Sequence, residues 1–422
     1  MRISVIGCGY VGTVTGTCLA DLGHEVVLVD IDKKKTRAII SSQSPVFEPG
    51  LDDLIRKNMG KLSAINDADE LPSDIELAFL SVGTPADGNG PINLDYIKSA
   101  SISLGRWLSS QDDFKLIVVK STVLPGTTEE FIKTELEMNS GKKAFKDFGL
   151  ASNPEFLREG NAVFDFFHPD RIVVGVSDKK SREIMEQIYE PFTSPKLFTD
   201  IKTAEAIKYA SNAFLATKIS FANEIGNLCK KLGIDTSEVF RGVGLDSRIN
   251  PAFFRSGIGF GGSCFPKDIR ALVSKMEEID LNPRVLRAVI ETNDVQPLQI
   301  IKILKKYYPC LDSKKIGILG LAFKPNTDDI RDSRAIIVIE KLLDEGACII
   351  AYDPKAMDNT RALFPQITYA KSPGEALNAD AVLLLTEWDE FENLNYAGKL
   401  VIDGRRIESA RRDAAIYEGV CW

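Results

Sequence analysis

The first thirty residues restrict the possible folds more than any other part of the chain. Arg2 to Ile6 reads as a short buried strand and runs straight into Gly7-Cys8-Gly9-Tyr10-Val11-Gly12, a G-x-G-x-x-G at a strand-to-helix junction. Val11, Val14, Cys18, Leu19 and Leu22 then recur at helical spacing until Gly23, which can take the left-handed conformation that ends helices. A second strand, Glu25 to Val29, stops at Asp30. That acid lies 18 residues beyond Gly12, near the separation of about 20 at which a carboxylate receives the adenosine ribose hydroxyls of a dinucleotide. The unit therefore predicts a parallel βαβ fold whose glycine turn holds a pyrophosphate at a helix N-terminus. Asp30 favours NAD over NADP, because a carboxylate repels a 2′-phosphate; Lys33, Lys34 and Lys35, just beyond, temper that exclusion.

Downstream, apolar strands recur at Leu77 to Val82, Leu116 to Val119, Phe148 to Ala151 and Ile172 to Val176, separated by polar segments of helix length. Such alternation implies a parallel sheet. Three strands end in polar loops, at residues 81–85, 120–126 and 152–160, and the strand ends of open α/β sheets are where ligands bind. From Thr203 to Leu232 the pattern becomes that of a long connecting helix stopped by Gly233, with Lys208 and Asn212 four apart on one face. Helical patterning continues to about residue 300. Strands then resume at Lys315 to Leu319, Cys348 to Tyr352, Ala381 to Leu385 and Leu400 to Ile402, implying a second doubly wound domain. The turn from Gly320 to Arg331 lacks the full glycine fingerprint, so a second dinucleotide site is not expected there. Its Lys324 and Arg331 are open to two readings, phosphate ligands or solvated loop charges.

Composition removes several classes of function. A net charge of −8 argues against broad binding to nucleic acid or to an acidic membrane, and no apolar run is long enough to cross a bilayer. A cytoplasmic location is expected. Seven scattered cysteines fit neither a disulfide framework nor paired zinc ligands, and His24 and His168 are the sole histidines. No metal site is expected, and proton transfer falls to Lys, Asp, Glu or water.

The stretch from Ile249 to Asp268 carries the strongest sign of chemistry. Gly257, Gly259, Gly261 and Gly262 remove side chains from the backbone ahead of Cys264, with Lys267 and Asp268 following within one turn. An adjacent ammonium favours a thiolate, and a carboxylate at i+4 can orient a proton or a water. The alternative is a glycine turn that ends in a small buried thiol.

The glycine motif with Asp30, Asn153-Pro154-Glu155-Phe156-Leu157-Arg158-Glu159-Gly160, the Lys208/Asn212 pair, Gly261-Gly262-Ser263-Cys264-Phe265-Pro266-Lys267-Asp268, and Phe323-Lys324 with Arg331 occur in the order found in the nucleotide-sugar 6-dehydrogenases, which the chain resembles throughout. The resemblance implies an α/β fold of two Rossmann-like doubly wound domains joined by a long central helix and a helical dimerisation region. Residues 1–200 would bind NAD, 201–310 would connect and dimerise, and 311–422 would bind the UDP-sugar. It implies Cys264 as nucleophile, with Lys208, Asn212, Asp268, Thr122 and Glu155 as the other catalytic groups. NAD contacts would come from Gly7, Gly9, Tyr10, Val11, Gly12, Asp30, Lys35, Thr84, Thr122, Glu159, Lys267 and Arg331.

The nucleotide sugar would meet Glu155, Phe156, Leu157, Arg158 and Glu159, together with Lys208 and Asn212. Further contacts would be Phe253, Phe254, Arg255, Ser256, Gly257, Gly261, Phe323 and Lys324. Arg248 would reach a neighbouring subunit's substrate, so a homodimer is implied. The stretch from Glu159 through His168-Pro169-Asp170-Arg171 is most similar to the UDP-glucose branch, which implies four-electron oxidation of UDP-glucose to UDP-glucuronate. UDP-N-acetylmannosamine or GDP-mannose are the alternative substrates. A two-electron hydroxyacid dehydrogenase, also built around Lys-x-x-x-Asn, is the rival activity; it would not need Cys264. Short-chain dehydrogenases are disfavoured by the absence of Tyr-x-x-x-Lys.

Overall fold

The computed structural model describes residues 1–85 and 92–422. The chain divides into two compact units, Met1–Ser211 and Asn212–Trp422. The first contains one sheet of eight strands: β1 (Arg2–Ile6), β2 (Glu25–Val29), β3 (Leu62–Ile65), β4 (Leu77–Leu80), β5 (Leu116–Val119), β6 (Gly149–Ser152), β7 (Ile172–Val176) and β8 (Lys196–Thr199). Their order across the sheet is β3-β2-β1-β4-β5-β6-β7-β8. The chain therefore winds outward from β1 in one direction and from β4 in the other, leaving a crevice at the carboxyl ends of these two strands.

Both faces of this sheet are covered, and the strands show it. β4 and β5 are buried at every position, and alternate side chains enter different cores. Leu77 and Phe79 pack with Ile3, Val5 and Leu28 on one side, whereas Ala78 and Leu80 pack with Ile6, Val27 and Ile117 on the other. Neighbouring strands are parallel with one exception: β6 and β7 run antiparallel, pairing Ala151 with Val176 and Ser152 with Gly175. The uniformly parallel sheet expected from the alternation is corrected there. A strand buried on both faces has the same apolar pattern in either direction.

The helix Ile201–Leu232 spans 32 residues, a rise of about 48 Å. It ends at Gly233, whose φ of 69° is left-handed. In the second unit the helices Thr236–Gly244, Phe265–Glu278, Arg284–Val295 and Leu298–Tyr307 precede a six-stranded parallel sheet. Its strands are β9 (Lys315–Leu319), β10 (Cys348–Tyr352), β11 (Thr368–Tyr369), β12 (Ala381–Leu384), β13 (Leu400–Asp403) and β14 (Ile416–Gly419), ordered β11-β10-β9-β12-β13-β14. This repeats the winding order of the first six strands of the other sheet. The fold is thus α/β with a doubly wound sheet in each unit, as expected. No helix among the described residues is long and apolar enough to cross a membrane.

Candidate active site

The glycine turn after β1 is built for a close approach. A Cβ on Gly12 would fall 1.8 Å from the Gly7 carbonyl oxygen, so the turn can close only over glycine. Tyr10 opens the helix Tyr10–Asp21, and the preceding Gly9 supplies no side chain to cap its amides. Asp30, at the end of β2, accepts the Cys8 N–H at 2.7 Å, the Asp32 N–H at 2.9 Å and the Lys35 ammonium at 3.2 Å. These bonds fix the carboxylate beside the turn. From the neighbouring strand ends, the Thr84 hydroxyl donates to the Thr122 carbonyl at 3.0 Å, bringing two expected NAD contacts together. Helix amides without a side-chain cap over a glycine-only turn, with an acid at the next strand end, fit a pyrophosphate and a ribose diol.

The corresponding acid of the second sheet is differently engaged. Asp353, wholly buried after β10, accepts N–H groups of Leu321, Ala322, Lys355 and Ala356 at 2.8–3.0 Å and the Trp388 indole at 3.0 Å. Both of its oxygens are taken by protein donors, which leaves it unsuited to a ribose.

A polar cluster lies at the carboxyl ends of β5 and β6. The Lys208 ammonium donates to Glu155 Oε1 at 3.0 Å, with both side chains buried. Glu155 Oε2 accepts the Leu157 N–H at 2.5 Å. Phe156 lies beneath two cations, with Lys208 Nζ 5.3 Å and the Arg171 guanidinium 3.7 Å from its ring centre. Arg158 turns to Asp165 in a forked pair, at 2.9 and 2.6 Å.

Two residues of this region were not singled out from the sequence. Lys120 is buried and donates to Asn153 Oδ1 at 3.0 Å, an oxygen that also accepts the Tyr189 hydroxyl. Burial pushes the Lys120 ammonium down to about 8, with the charge of Glu155 opposing and that of Lys208 adding to the effect. A lysine directly after the wholly apolar Leu-Ile-Val-Val of β5 was the available signal. Glu205, on the long helix, accepts the N–H groups of Gly126 at 2.6 Å and Thr128 at 3.0 Å, and so anchors the loop that carries Thr122. Burial raises its carboxyl to about 7.

In the second unit Cys264 stands at the N-cap of the helix Phe265–Glu278, with Pro266 in the first turn. The thiol is exposed, 3.5 Å from the Ser263 hydroxyl. The positive end of the helix dipole stabilises negative charge on a sulfur so placed. Cys8, by contrast, is buried beside Asp30, and its thiol is pushed up to about 12. Asp268 is buried one turn beyond Cys264 and accepts Asn212 Nδ2 at 2.7 Å and Lys267 Nζ at 2.6 Å. Lys267, the ammonium expected to favour the thiolate, also binds this carboxylate.

The glycine loop packs against the turn after β9. The Gly262 N–H donates to the Arg331 carbonyl at 2.9 Å, and a Cβ on Gly262 would meet the Phe323 ring at 2.7 Å. Asn293, also not singled out from the sequence, grips the loop from its other side, accepting the Phe260 N–H at 2.8 Å and donating to the Phe260 carbonyl at 3.0 Å. Lys324 lies 5.3 Å over the Phe323 ring, and Arg331 pairs with Asp329 at 2.6 Å. Gly257 is held through its N–H by Asn223 and through its carbonyl by Gln296, each at 2.7 Å.

The remaining expected substrate residues lie in the exposed segment 248–256. Phe254 stacks on Phe240 at 5.0 Å, Phe253 lies 6.3 Å from Phe265, Arg255 pairs with Glu387 at 3.4 Å, and Arg248 pairs with Asp246 at 2.6 Å. Among the described residues no group of three or more His, Cys, Asp or Glu is placed to hold a metal ion.

Residues 1–193, 202–295 and 317–410 match, in turn, the NAD binding, central and UDP binding domains of the UDP-glucose/GDP-mannose dehydrogenase family. The chain is 46% identical to a UDP-glucose 6-dehydrogenase of Haloferax volcanii, with both chains covered fully. It is 38% identical to a GDP-mannose 6-dehydrogenase of Pseudomonas syringae, again over the whole of both. A solved UDP-glucose dehydrogenase from Pyrobaculum islandicum superposes with a TM-score of 0.96 at 42% identity, covering 100% of this chain and 98% of that one.

Proposed function

The chain belongs to the UDP-glucose/GDP-mannose dehydrogenase family, and from that membership we propose that it oxidises the C6 hydroxymethyl group of UDP-glucose to the carboxylate of UDP-glucuronate, two hydrides passing in turn to NAD. The observation that carries this reading is the exposed Cys264 thiol at a helix N-terminus, one turn from the Asp268 carboxylate. Removing a hydride and a proton from the alcohol leaves an aldehyde, which must be retained until the second oxidation. Addition of the Cys264 S–H across its carbonyl gives a thiohemiacetal. Loss of a second hydride and the hydroxyl proton converts this to a thioester, and water cleaves the C–S bond to release the acid and restore the thiol. One alcohol, one water and two NAD give one carboxylate, two NADH and three protons.

Lys208 and Asn212 would donate to the oxyanions formed along this path, each well-placed donor lowering the barrier by roughly 3 kcal/mol. Asp268 and Lys208 would manage the attacking water and its proton, with Thr122 and Glu155 completing the polar set. Residues 1–200 would hold NAD through the glycine turn, Asp30, Lys35, Thr84, Thr122 and Glu159, with Lys267 and Arg331 as the other expected contacts. Residues 311–422 would hold the UDP portion through Phe323 and Lys324. The loop 155–159, residues 253–257 and Gly261 would contact the same ligand. UDP-glucose is favoured by the stretch Glu159–Arg171 and by the likeness to the 46% identical UDP-glucose 6-dehydrogenase.

Residues 201–310 would also form a homodimer. Phe214, Phe221 and Leu228, spaced by seven on the long helix, are 65%, 51% and 53% exposed. This leaves an apolar stripe on one helical face.

The test offers UDP-glucose, UDP-N-acetylmannosamine and GDP-mannose, each with NAD and with NADP, and counts reduced cofactor per sugar consumed. Two NADH per UDP-glucose is the expected result; one per sugar would favour the two-electron rival. Cys264→Ser should lose the second oxidation and yield no uronate, and uronate formation at the native rate would remove the thiol from the mechanism.

A further inference from the structure

One buried carboxylate beside the glycine turn, in a segment without regular secondary structure, has no role in the chemistry above. Glu48 is 6% exposed. Its Oε2 accepts the Tyr10 hydroxyl and, at 2.7 Å, the Gly160 N–H, while Oε1 accepts the Ala162 N–H at 2.7 Å. The Gly160 N–H is shared with the Tyr10 hydroxyl oxygen at 2.8 Å. Donors and acceptors match throughout. Tyr10 gives its proton to Glu48 and offers a lone pair to Gly160, and burial together with the neighbouring carboxylate pushes the phenol up, so that this proton stays in place.

The two ends of this arrangement lie beside the glycine turn expected to hold NAD and the loop expected to contact the nucleotide sugar. Tyr10 is the first residue of the helix that follows the glycine turn, where a pyrophosphate fits. Gly160 closes the loop that carries Glu155 and Glu159, and Ala162 begins the helix Ala162–Phe167, whose N-cap residue Asn161 makes no side-chain cap bond. Glu48 makes that cap from 114 residues away in sequence. The loop's carboxyl end is thereby tied to the turn by three charge-assisted hydrogen bonds, the strong class of such bonds.

We propose that Tyr10 and Glu48 are positioning residues that make NAD binding at the glycine turn and nucleotide-sugar binding at residues 155–159 mutually strengthening. The inference rests on the assignment of those residues to the sugar nucleotide. A ligand that fixes the turn also fixes whatever is bonded to it, so the loop is already ordered when the second ligand arrives, and the dependence is reciprocal.

Calorimetry can measure this with NADH and UDP-glucose, a pair between which no oxidation proceeds. Dissociation constants are taken for each ligand alone and in the presence of the other. In the native chain each ligand should tighten the other about fivefold or more. Glu48→Ala should bring that factor to about one while leaving the single-ligand constants within about threefold, and Tyr10→Phe, whatever its effect on NADH alone, should lower the factor likewise. Glu48→Gln should keep an intermediate factor, because a carboxamide oxygen still accepts one of the amides. A purely structural role would weaken each ligand alone and leave the factor unchanged.

Should Glu48→Ala fail to fold, Tyr10→Phe decides, since it keeps the ring and both of the Glu48 bonds to backbone. A native factor near one, or an unchanged factor in Tyr10→Phe, overturns the inference while the substrate reading stands. Normal NADH binding without any UDP-glucose binding overturns the substrate reading, and this inference with it.

Discussion

Lys120 shows how burial gives a common side chain an uncommon proton affinity. Its ammonium has neutral hydrogen-bond partners, Asn153 Oδ1 and the Asn153 carbonyl, while the nearby carboxylate of Glu155 is bonded to Lys208. The folded value near 8 lies below the ordinary 10.5. Between these two pH values the unfolded chain binds more protons, so stability rises with pH; the gain is present above about 10.5 and lost as pH falls through about 8. Lys120→Met removes the titration. It should therefore be more stable relative to the native chain at pH 7 than at pH 10, with the difference closing by about 3 kcal/mol across that interval. Urea unfolding of both proteins at several pH values reads this directly, and a pH-independent difference would refute it.

At the same scale, Cys264, Lys208, Asn212 and Asp268 were legible because their residue types and local spacing carry chemical meaning. Lys120, Glu48, Glu205 and Asn293 were not. Each acts through a partner between 33 and 114 residues away, and apart from the apolar run ahead of Lys120 nothing near them in sequence marks them out.

Among elements, β1, β2, β5, β7, β9 and β10 were readable to their ends because each is an unbroken run of mostly apolar residues bounded by polar or glycine turns. β8 (Lys-Leu-Phe-Thr) and β14 (Ile-Tyr-Glu-Gly) are both partly exposed and lack a run of apolar residues, so neither resembles a covered strand. Both form because the sheet edge beside them offers backbone partners. The cysteine loop marks the opposite limit. Its glycines announced a close approach, but only the fold shows what they approach and what restrains them.

Asn293 replaces a strand partner for Phe260, satisfying both its N–H and its carbonyl inside the protein. Asn293→Ala leaves both buried groups without that partner, a loss of about 2–4 kcal/mol. The urea midpoint should fall accordingly, and alkylation of Cys264 by iodoacetamide should change in rate as its loop loosens. An unchanged midpoint would show that Phe260 finds other partners.

For the whole molecule, the proposed dimer and the proposed site make linked predictions. The exposed stripe of Phe214, Phe221 and Leu228 continues through Leu232, which is 61% exposed. Covering one such side chain is worth about 1.5–3 kcal/mol, and a twofold axis counts each contribution twice. Phe214→Glu with Leu228→Glu would place four carboxylates in the paired surface, where unpaired buried charge costs several kcal/mol. Sedimentation velocity should then show a dimer for the native chain and a monomer for the variant.

Arg248 is the residue through which the proposed assembly would reach the chemistry. Its side chain is 86% exposed and paired with Asp246, an arrangement of small intrinsic worth that leaves the guanidinium available to a partner's nucleotide sugar. If it serves that role, the monomeric variant and Arg248→Ala should show the same rise in KM for UDP-glucose, and combining the changes should add nothing. A monomer with native KM would separate assembly from substrate binding, and a double glutamate variant that remains dimeric would move the interface off the long helix.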